Sequence, residues 1–104
     1  MGFNENVWAL TKKIPKGKVT TYKEIAKALN TKAYRAVGTA LKKNPYAPQV
    51  PCHRVINSNG SIGGYKGKMN SKEKIRLLKK EGLEIKNDKV NLKRYIYNFS
   101  SSKR

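Results

Sequence analysis

Thr21-Tyr22-Lys23-Glu24 is the stretch that most narrows what this chain can become. A threonine three residues ahead of a glutamate is a capping box, in which hydroxyl and carboxylate each satisfy a backbone N–H at a helix start. Ile25, Ala26, Ala28 and Leu29 carry that helix to about Asn30. A tight turn follows, and Thr31 can cap a second helix from about Lys32 to Lys43. Ala33, Ala36, Val37, Ala40 and Leu41 recur at helical spacing and give this second helix a narrow inward face of small residues. Two short helices joined by a three- or four-residue turn are a helix-turn-helix, a motif that seats its second helix in a DNA groove. Arg35 lies in the first turns of that helix, and Lys42 and Lys43 lie near its end. Many helical hairpins bind nothing, so the motif needs a second argument.

Charge supplies it. The chain carries 24 Lys plus Arg against 6 Asp plus Glu, a net +18 over 104 residues. Such an excess repels itself and resists compaction unless a polyanion neutralises it. One group of cations runs from Lys12 to Lys43 and another from Lys66 to Arg94. Double-stranded DNA is the expected partner, ahead of an anionic membrane. No apolar run approaches the ~18 residues of a membrane span, and the N-terminus lacks a signal-peptide core. A soluble monomer is expected, cytoplasmic (nucleoid-associated) or nuclear. A chain this short makes one domain with one modest core, burying roughly 60–65% of its unfolded surface.

Around the central pair, the other elements are short. Asn4 reads as the N-cap of a first helix with Glu5 in its first turn, and Phe3 and Trp8 stand at the two positions of a hydrophobic staple. Val7, Trp8, Leu10 and Ile14 form its apolar side, which makes Trp8 a core residue rather than a stacking platform, and Pro15-Lys16-Gly17-Lys18 turns the chain. Asn57-Ser58-Asn59-Gly60 predicts a small hairpin between Val55-Ile56 and Ile62. Asn70 or Ser71 caps a third long helix through Lys80-Glu81, with Ile75 and Leu78 inward and Gly82 as its stop. Leu83-Glu84-Ile85 and Val90-Asn91-Leu92 frame a wing-like hairpin. The expected fold is mainly α: a winged helix-turn-helix-like single domain with small β-hairpins over 1–93, then a partly frayed basic tail over 94–104.

The chemistry-bearing residues cluster elsewhere. Pro51-Cys52-His53-Arg54-Val55 holds the only cysteine and the only histidine, side by side. One cysteine excludes an internal disulfide, and one of each leaves no Cys/His zinc site. A thiol is a poor nucleophile at its free pKa of about 8.5 until a nearby base makes thiolate accessible. Pro51 fixes φ ahead of it and donates no hydrogen bond, which suits a presented thiol. The residues alone leave a second reading open, because a lone cysteine also serves as a small buried hydrophobe. The Gly63-Gly64-Tyr65-Lys66-Gly67 loop lacks the spacing of a phosphate-binding fingerprint, so no nucleotide cofactor is expected.

Thr21-Tyr22, Arg35-Ala36-Val37-Gly38, Asn44-Pro45, Pro51-Cys52-His53-Arg54-Val55 and Gly63-Gly64-Tyr65 together resemble the O6-alkylguanine-DNA alkyltransferases, in order and spacing, from about Phe3 to Leu83. The resemblance implies repair of DNA by a single, stoichiometric transfer of an alkyl group to Cys52, with the damaged nucleotide flipped out through the minor groove. Flipping is needed because the alkyl carbon cannot meet a thiolate inside a stacked duplex. It implies that Arg35 is the finger replacing the flipped base and that Tyr22 crowds the 3′ phosphate and hydrogen-bonds guanine. Ala33, Ala36 and Gly38 then let the helix approach the groove closely, and Lys32, Lys42 and Lys43 are expected on phosphates. His53, through a water, would take the thiol proton, and Glu81 would orient His53. Asn44 would be the hinge tying the recognition helix to the active-site turn. Gly63, Gly64 and Tyr65 would shape the alkyl pocket, and the carbonyls of Cys52 and Val55 would read the guanine edge. Neither metal nor organic cofactor is implied.

Most members of that family place a further domain ahead of this one, and the resemblance here begins at the DNA-binding half. Shorter alkyltransferase-like proteins typically carry Trp or Ala where this chain has Cys52, and bind lesions without repairing them. Lys66 stands at a pocket-rim position that is often smaller, and Tyr34 is bulkier than the residue common beside the finger. The alternative function is therefore a non-catalytic lesion sensor that hands damage to a repair-pathway protein. A generic winged-helix transcription factor would explain the charge but not Pro51-Cys52-His53.

Overall fold

The computed structural model describes residues 2–45, 50–63, 72–97 and 99. Helix α1 (Phe3–Lys12) leads through a turn to strand β1 (Thr20–Thr21), then α2 (Tyr22–Ala28) and α3 (Tyr34–Lys42). A 3₁₀ turn (Cys52–Arg54) runs into β2 (Val55–Ile56), and α4 (Lys72–Lys80), β3 (Ile85–Lys86), β4 (Lys89–Val90) and α5 (Leu92–Tyr95) complete the order. It is a helical fold with two small strand pairs, a winged helix-turn-helix in outline.

The hydroxyl half of the capping box forms as the sequence predicts: Thr21 is the N-cap of α2 and its Oγ1 accepts from the Glu24 N–H at 3.1 Å. The turn out of α2 is closed by two backbone bonds, from Thr31 N to Ala26 O at 2.9 Å and from Asn30 N to Lys27 O at 3.0 Å. This Schellman closure needs a left-handed residue, and Asn30 supplies it at φ 58°. Helix α3 starts at Tyr34, two residues later than expected, because Thr31 Oγ1 binds the Ala33 N–H and holds that segment outside the helix. Its inward face is narrower than the spacing suggested. Val37, Ala40 and Leu41 are buried, whereas Ala33 and Ala36 are exposed. The first helix also differs at its start. Gly2, not Asn4, is the N-cap, its carbonyl accepting from Asn6 N at 3.1 Å, so Phe3 is already helical and no staple spans the entry.

Helices of seven to ten residues are marginal alone, so packing must hold them. Val7, Ile14, Ile25, Ala26, Val37, Ala40, Leu41, Cys52 and Val55 form one cluster, with Trp8 packed against it and its Nε1 donating to Ala40 O at 2.7 Å. Each large apolar side chain buried there contributes about 1.5–3 kcal/mol, far more than helix propensity does. A second cluster of Val19, Ile56, Ile62, Leu78, Leu83 and Val90 joins α4 to the strands.

Strand pairing corrects one expectation. Val55-Ile56 does not fold back on Ile62; it lies parallel to β1, with Thr20 opposite Val55 and Thr21 opposite Ile56. The Asn57–Gly60 turn is real, closed by Gly60 N to Asn57 O at 2.9 Å, but both of its flanks take other partners: Ile62 N donates to Asp88 O. The parallel pairing matters because it fastens the Thr21 cap of α2 directly beside the Cys52 turn. The wing forms between β3 and β4 as expected, and both residues of its tight turn, Asn87 and Asp88, have positive φ, as two-residue hairpins require. Helix α4 ends on Gly82 at φ 97°, with Leu83 N bonded to Leu78 O. The capping calls at Asn70 and Ser71 lie outside the described residues.

The boundary expected after residue 93 falls inside α5. Ile96 bridges Val19, Tyr97 N donates to Val19 O at 2.7 Å, and Phe99 is buried against Tyr97. The aromatic and apolar residues between the terminal cations supply a buried face that the charge pattern concealed.

Candidate active site

Cys52 opens the 3₁₀ turn, with its N–H on Val50 O at 2.8 Å, and is only 7% exposed. Asn44, just past α3, donates from Nδ2 to the same Val50 carbonyl at 2.9 Å. Asn44 thus connects the end of α3 to the cysteine turn through one backbone oxygen.

His53 is 2% exposed, and its Nε2 stands 2.9 Å from Glu81 Oε2. Glu81 also receives Arg54: Nε to Oε1 at 2.9 Å and Nη2 to Oε2 at 2.6 Å, while Arg54 Nη1 donates to Ile14 O at 2.8 Å. Glu81 is the C-cap residue of α4, where the helix dipole disfavours an anion. Its partners overcome that placement. Burial pushes the Glu81 carboxyl up, but hydrogen bonds from Arg54 and His53 and their charges hold it below the usual range. Burial pushes His53 down; Glu81 opposes this, and the Arg54 and Lys74 cations reinforce it. The consistent state at neutral pH is an ionised Glu81 accepting from a neutral His53 through Nε2–H. That tautomer leaves Nδ1 as the basic nitrogen, which is the arrangement a base for a neighbouring thiol requires.

Two cation-bearing residues complete the surroundings, and sequence reasoning assigned neither a role. Arg54 lay within the quoted motif; only folding brings Ile14 and Glu81 to it. Lys74 on α4 is fully buried, its Nζ donating to Val55 O at 2.6 Å and standing 6.0 Å from the Tyr22 ring centroid. Burial drives its pKa down from 10.5 to about 7, opposed by the Cys52 thiolate. Its signal was present, since Lys74 precedes Leu78 by four residues on the inward face, but lysines on helices are usually solvated. Tyr22 is pushed up to about 12 by burial and by the Cys52 charge, so its hydroxyl stays protonated.

The described surface carries a cleft of about 660 Å³ lined by Tyr22, Lys23, Tyr34, Arg35, Gly38 and the Asn57–Asn59 turn. Tyr22 lies at its wall and interacts with the Cys52 charge, which links the cleft to the thiol. Tyr34 is 45% exposed there. A Cβ on Gly38 would meet nothing within 4 Å, so packing within the chain does not demand a glycine. Lys32 lines a separate cleft with Lys23, Lys27 and Tyr34, Ala33 is exposed at the entry to α3, and Lys42 and Lys43 sit at its far end, exposed. Val55 is buried and its carbonyl is engaged by Lys74. Gly63, at φ 74°, abuts the Asn57 side chain, which itself donates to Ser61 Oγ at 2.8 Å. Gly64, Tyr65 and Lys66 lie outside the described residues. Among the described residues no group of three His, Cys, Asp or Glu could hold a metal, and no helix is long and apolar enough to cross a membrane.

A family model described as 6-O-methylguanine DNA methyltransferase, DNA binding domain, matches residues 2–83, a span that includes Cys52 and Glu81. The chain belongs to this family. It is 52% identical over 81 residues to a methylated-DNA–protein-cysteine methyltransferase of Methanosarcina acetivorans, covering 77% of this chain and 51% of that protein. It is 46% identical over 98 residues to a bifunctional methyltransferase/endonuclease of Picrophilus torridus, covering 92% of this chain and 32% of that one. The chain therefore spans about half or less of these relatives' length. Among solved structures, S. pombe Atl1 in complex with damaged DNA containing O6-carboxymethylguanine superposes with a TM-score of 0.82 at 35% identity, covering 92% of this chain and 94% of that one. Mycobacterium tuberculosis OGT in complex with DNA gives 0.71 at 43% identity, covering 78% and 50%. The domain thus has the fold of the alkyltransferase family of DNA-repair proteins.

Proposed function

We propose that this chain repairs O6-alkylguanine in double-stranded DNA by transferring the alkyl group, once, to Cys52. The observation that carries the reading is the Glu81–His53 contact at 2.9 Å, directly beside Cys52. A module that only binds has less use for a buried histidine whose tautomer is held by a partly buried carboxylate.

In the proposed reaction His53 takes the thiol proton, through a water or directly, and the resulting imidazolium is balanced by Glu81. Protonated Lys74 favours the Cys52 thiolate by its charge. The sulfur then attacks the alkyl carbon in line; the S–C bond forms, the C–O6 bond breaks, and its electron pair stays with guanine, which takes up a proton. A thioether has no leaving group to restore the thiol, so each molecule acts once. Tyr22 supplies a protonated hydroxyl at the wall of the cleft for the flipped base. Arg35 enters the stack, and Gly38 and Ala33 keep the face of α3 low enough for the minor groove. Lys32, Lys42 and Lys43 contact phosphates, and Gly63, Gly64, Tyr65 and Val55 border the alkyl group. The protein would act as a monomer, wherever the DNA is held: the cytoplasmic nucleoid or the nucleus.

The likeness to Atl1 along nearly the full length of both chains favours a second reading, in which the chain binds the lesion and passes it to another repair protein. Intact-protein mass spectrometry after mixing with an O6-methylguanine duplex separates the two. Transfer gives a stoichiometric gain of one methyl group; tight binding with no mass change at any time leaves the sensing function.

A further inference from the structure

Seven exposed lysines fall on segments that the fold brings together at one pole, and none of them is among the residues proposed above to contact DNA. Lys12 and Lys13 end α1, Lys16 and Lys18 sit in the following turn, Lys79 and Lys80 end α4, and Lys93 lies on α5; all are exposed. Four contacts pin these segments together. Arg54 ties Ile14 O to Glu81. The backbone at Gly17 approaches Glu81 O, where a Cβ would stand at 3.5 Å. Lys18 Nζ reaches Arg94 O at 3.5 Å, and Val19 N donates to Tyr95 O at 3.0 Å. None of these contacts involves α2 or α3, and none of the seven lines the cleft at Arg35.

Acids at this pole are already committed. Glu81 is held by His53 and Arg54, and Glu84 by Lys86 at 3.4 Å and Arg94 at 3.6 Å. Among the described residues, no carboxylate lies within ion-pair distance of any of the seven. The cations are therefore concentrated on a backbone that cannot relax them apart, at a site where +18 already opposes folding. We infer that this pole is a second binding surface for the phosphate backbone of duplex DNA, so that one molecule docked through α3 can hold a second duplex segment. Chemistry selects among polyanions. Among the described residues the large exposed apolar ones are Phe3 and Tyr34, neither at this pole; a membrane-inserting face or an acidic-protein interface would want an apolar or aromatic anchor. Lysines alone read phosphates without sequence preference.

The test is a capture assay on the full chain. One short undamaged duplex is fixed to beads, protein is bound, and a second fluorescent duplex is added across a salt series. The unaltered protein retains the second duplex. The quadruple variant Lys13→Gln, Lys16→Gln, Lys79→Gln, Lys80→Gln still binds the first duplex but loses capture, and its log–log salt slope for capture falls by about 0.9 per phosphate contact removed. The matching Lys→Arg variant keeps capture, which separates charge from folding. No capture by the unaltered protein at ~0.15 M salt overturns the inference. So does capture that survives the Lys→Gln changes, as bridging by a protein dimer would, or equal loss of first-duplex binding, which would place the pole on the same duplex as α3.

Discussion

The Cys52 turn and the exposed start of α3 are built on opposite principles. Around Cys52 the polar side chains find partners inside the protein: His53 and Arg54 on Glu81, Lys74 on Val55 O. These contacts join residues 19 to 28 positions apart in sequence and hold them wholly or partly buried. At α3, Tyr34, Arg35 and Gly38 face an open cleft, and the capping that places them is local, within a few residues. The lesson is about where preorganisation sits. Under the proposed function the groups for the chemistry are assembled before any partner arrives, because a low-dielectric site strengthens each interaction and needs no rearrangement during the reaction. The α3 face is left open, and under the proposed function its remaining contacts would be made by the DNA.

Substitutions at the two regions should therefore fail differently. Cys52→Ala should abolish the methyl mass gain altogether while leaving duplex affinity intact; any residual gain on the variant would name another acceptor. Glu81→Gln should slow transfer by about 10²-fold at neutral pH. The sign follows from charge: without the carboxylate the His53 imidazolium is unsupported, proton removal from Cys52 becomes harder, and the rate recovers at alkaline pH where the thiol ionises unaided. Superimposable rate–pH profiles for the two proteins would mean that Glu81 serves only to hold Arg54.

Arg35→Ala should cost less, roughly tenfold in lesion flipping, the equivalent of ~1.4 kcal/mol, as read by base-analogue fluorescence beside the lesion. Transfer from a free alkylated base should be unaffected. If both fall together, the finger assignment is wrong and the two regions are not separable. Lys42→Ala or Lys43→Ala should lower affinity for damaged and undamaged duplex alike, reducing the log–log salt slope by about 0.9.

The smallest effect concerns stability. Lys74 loses its proton near pH 7 when folded but near 10.5 when unfolded, so the unfolded chain binds more protons between those values. Stability should rise with pH across that window through this residue. In thermal melts, Lys74→Met should flatten the rise relative to the unaltered protein; an unchanged slope would show that Lys74 titrates normally in the folded state.

Local signals were legible wherever one residue decides the geometry. Thr21 and Glu24 predicted the α2 start, Gly82 the α4 stop, and Asn87-Asp88 the wing turn, because caps and left-handed turns are chosen by side chains within a few positions. Asn4 and Lys32 misled by one or two residues, since neighbouring groups, Gly2 O and Thr31 Oγ1, competed for the same backbone N–H. Val55-Ile56 misled more. A two-residue strand carries no record of its partner: Ile56 and Ile62 share one buried cluster with Val19 and Leu78, yet the backbone of Val55-Ile56 pairs with β1.

The sequence by itself determined the helix-turn-helix, the basic character, and the motif residues Tyr22, Arg35, Asn44, Cys52 and His53, whose identity and order place the chain in its family. Tertiary structure alone decided what surrounds the thiol. The Glu81 carboxylate reaches His53 only because α4 ends beside the 3₁₀ turn, and Arg54 must find Ile14 and Glu81 together to hold it there. Lys74 became a buried, easily deprotonated amine, although lysines on helices are usually solvated, because packing set its environment. A pKa follows from desolvation and nearby charge, and both come from residues distant along the chain.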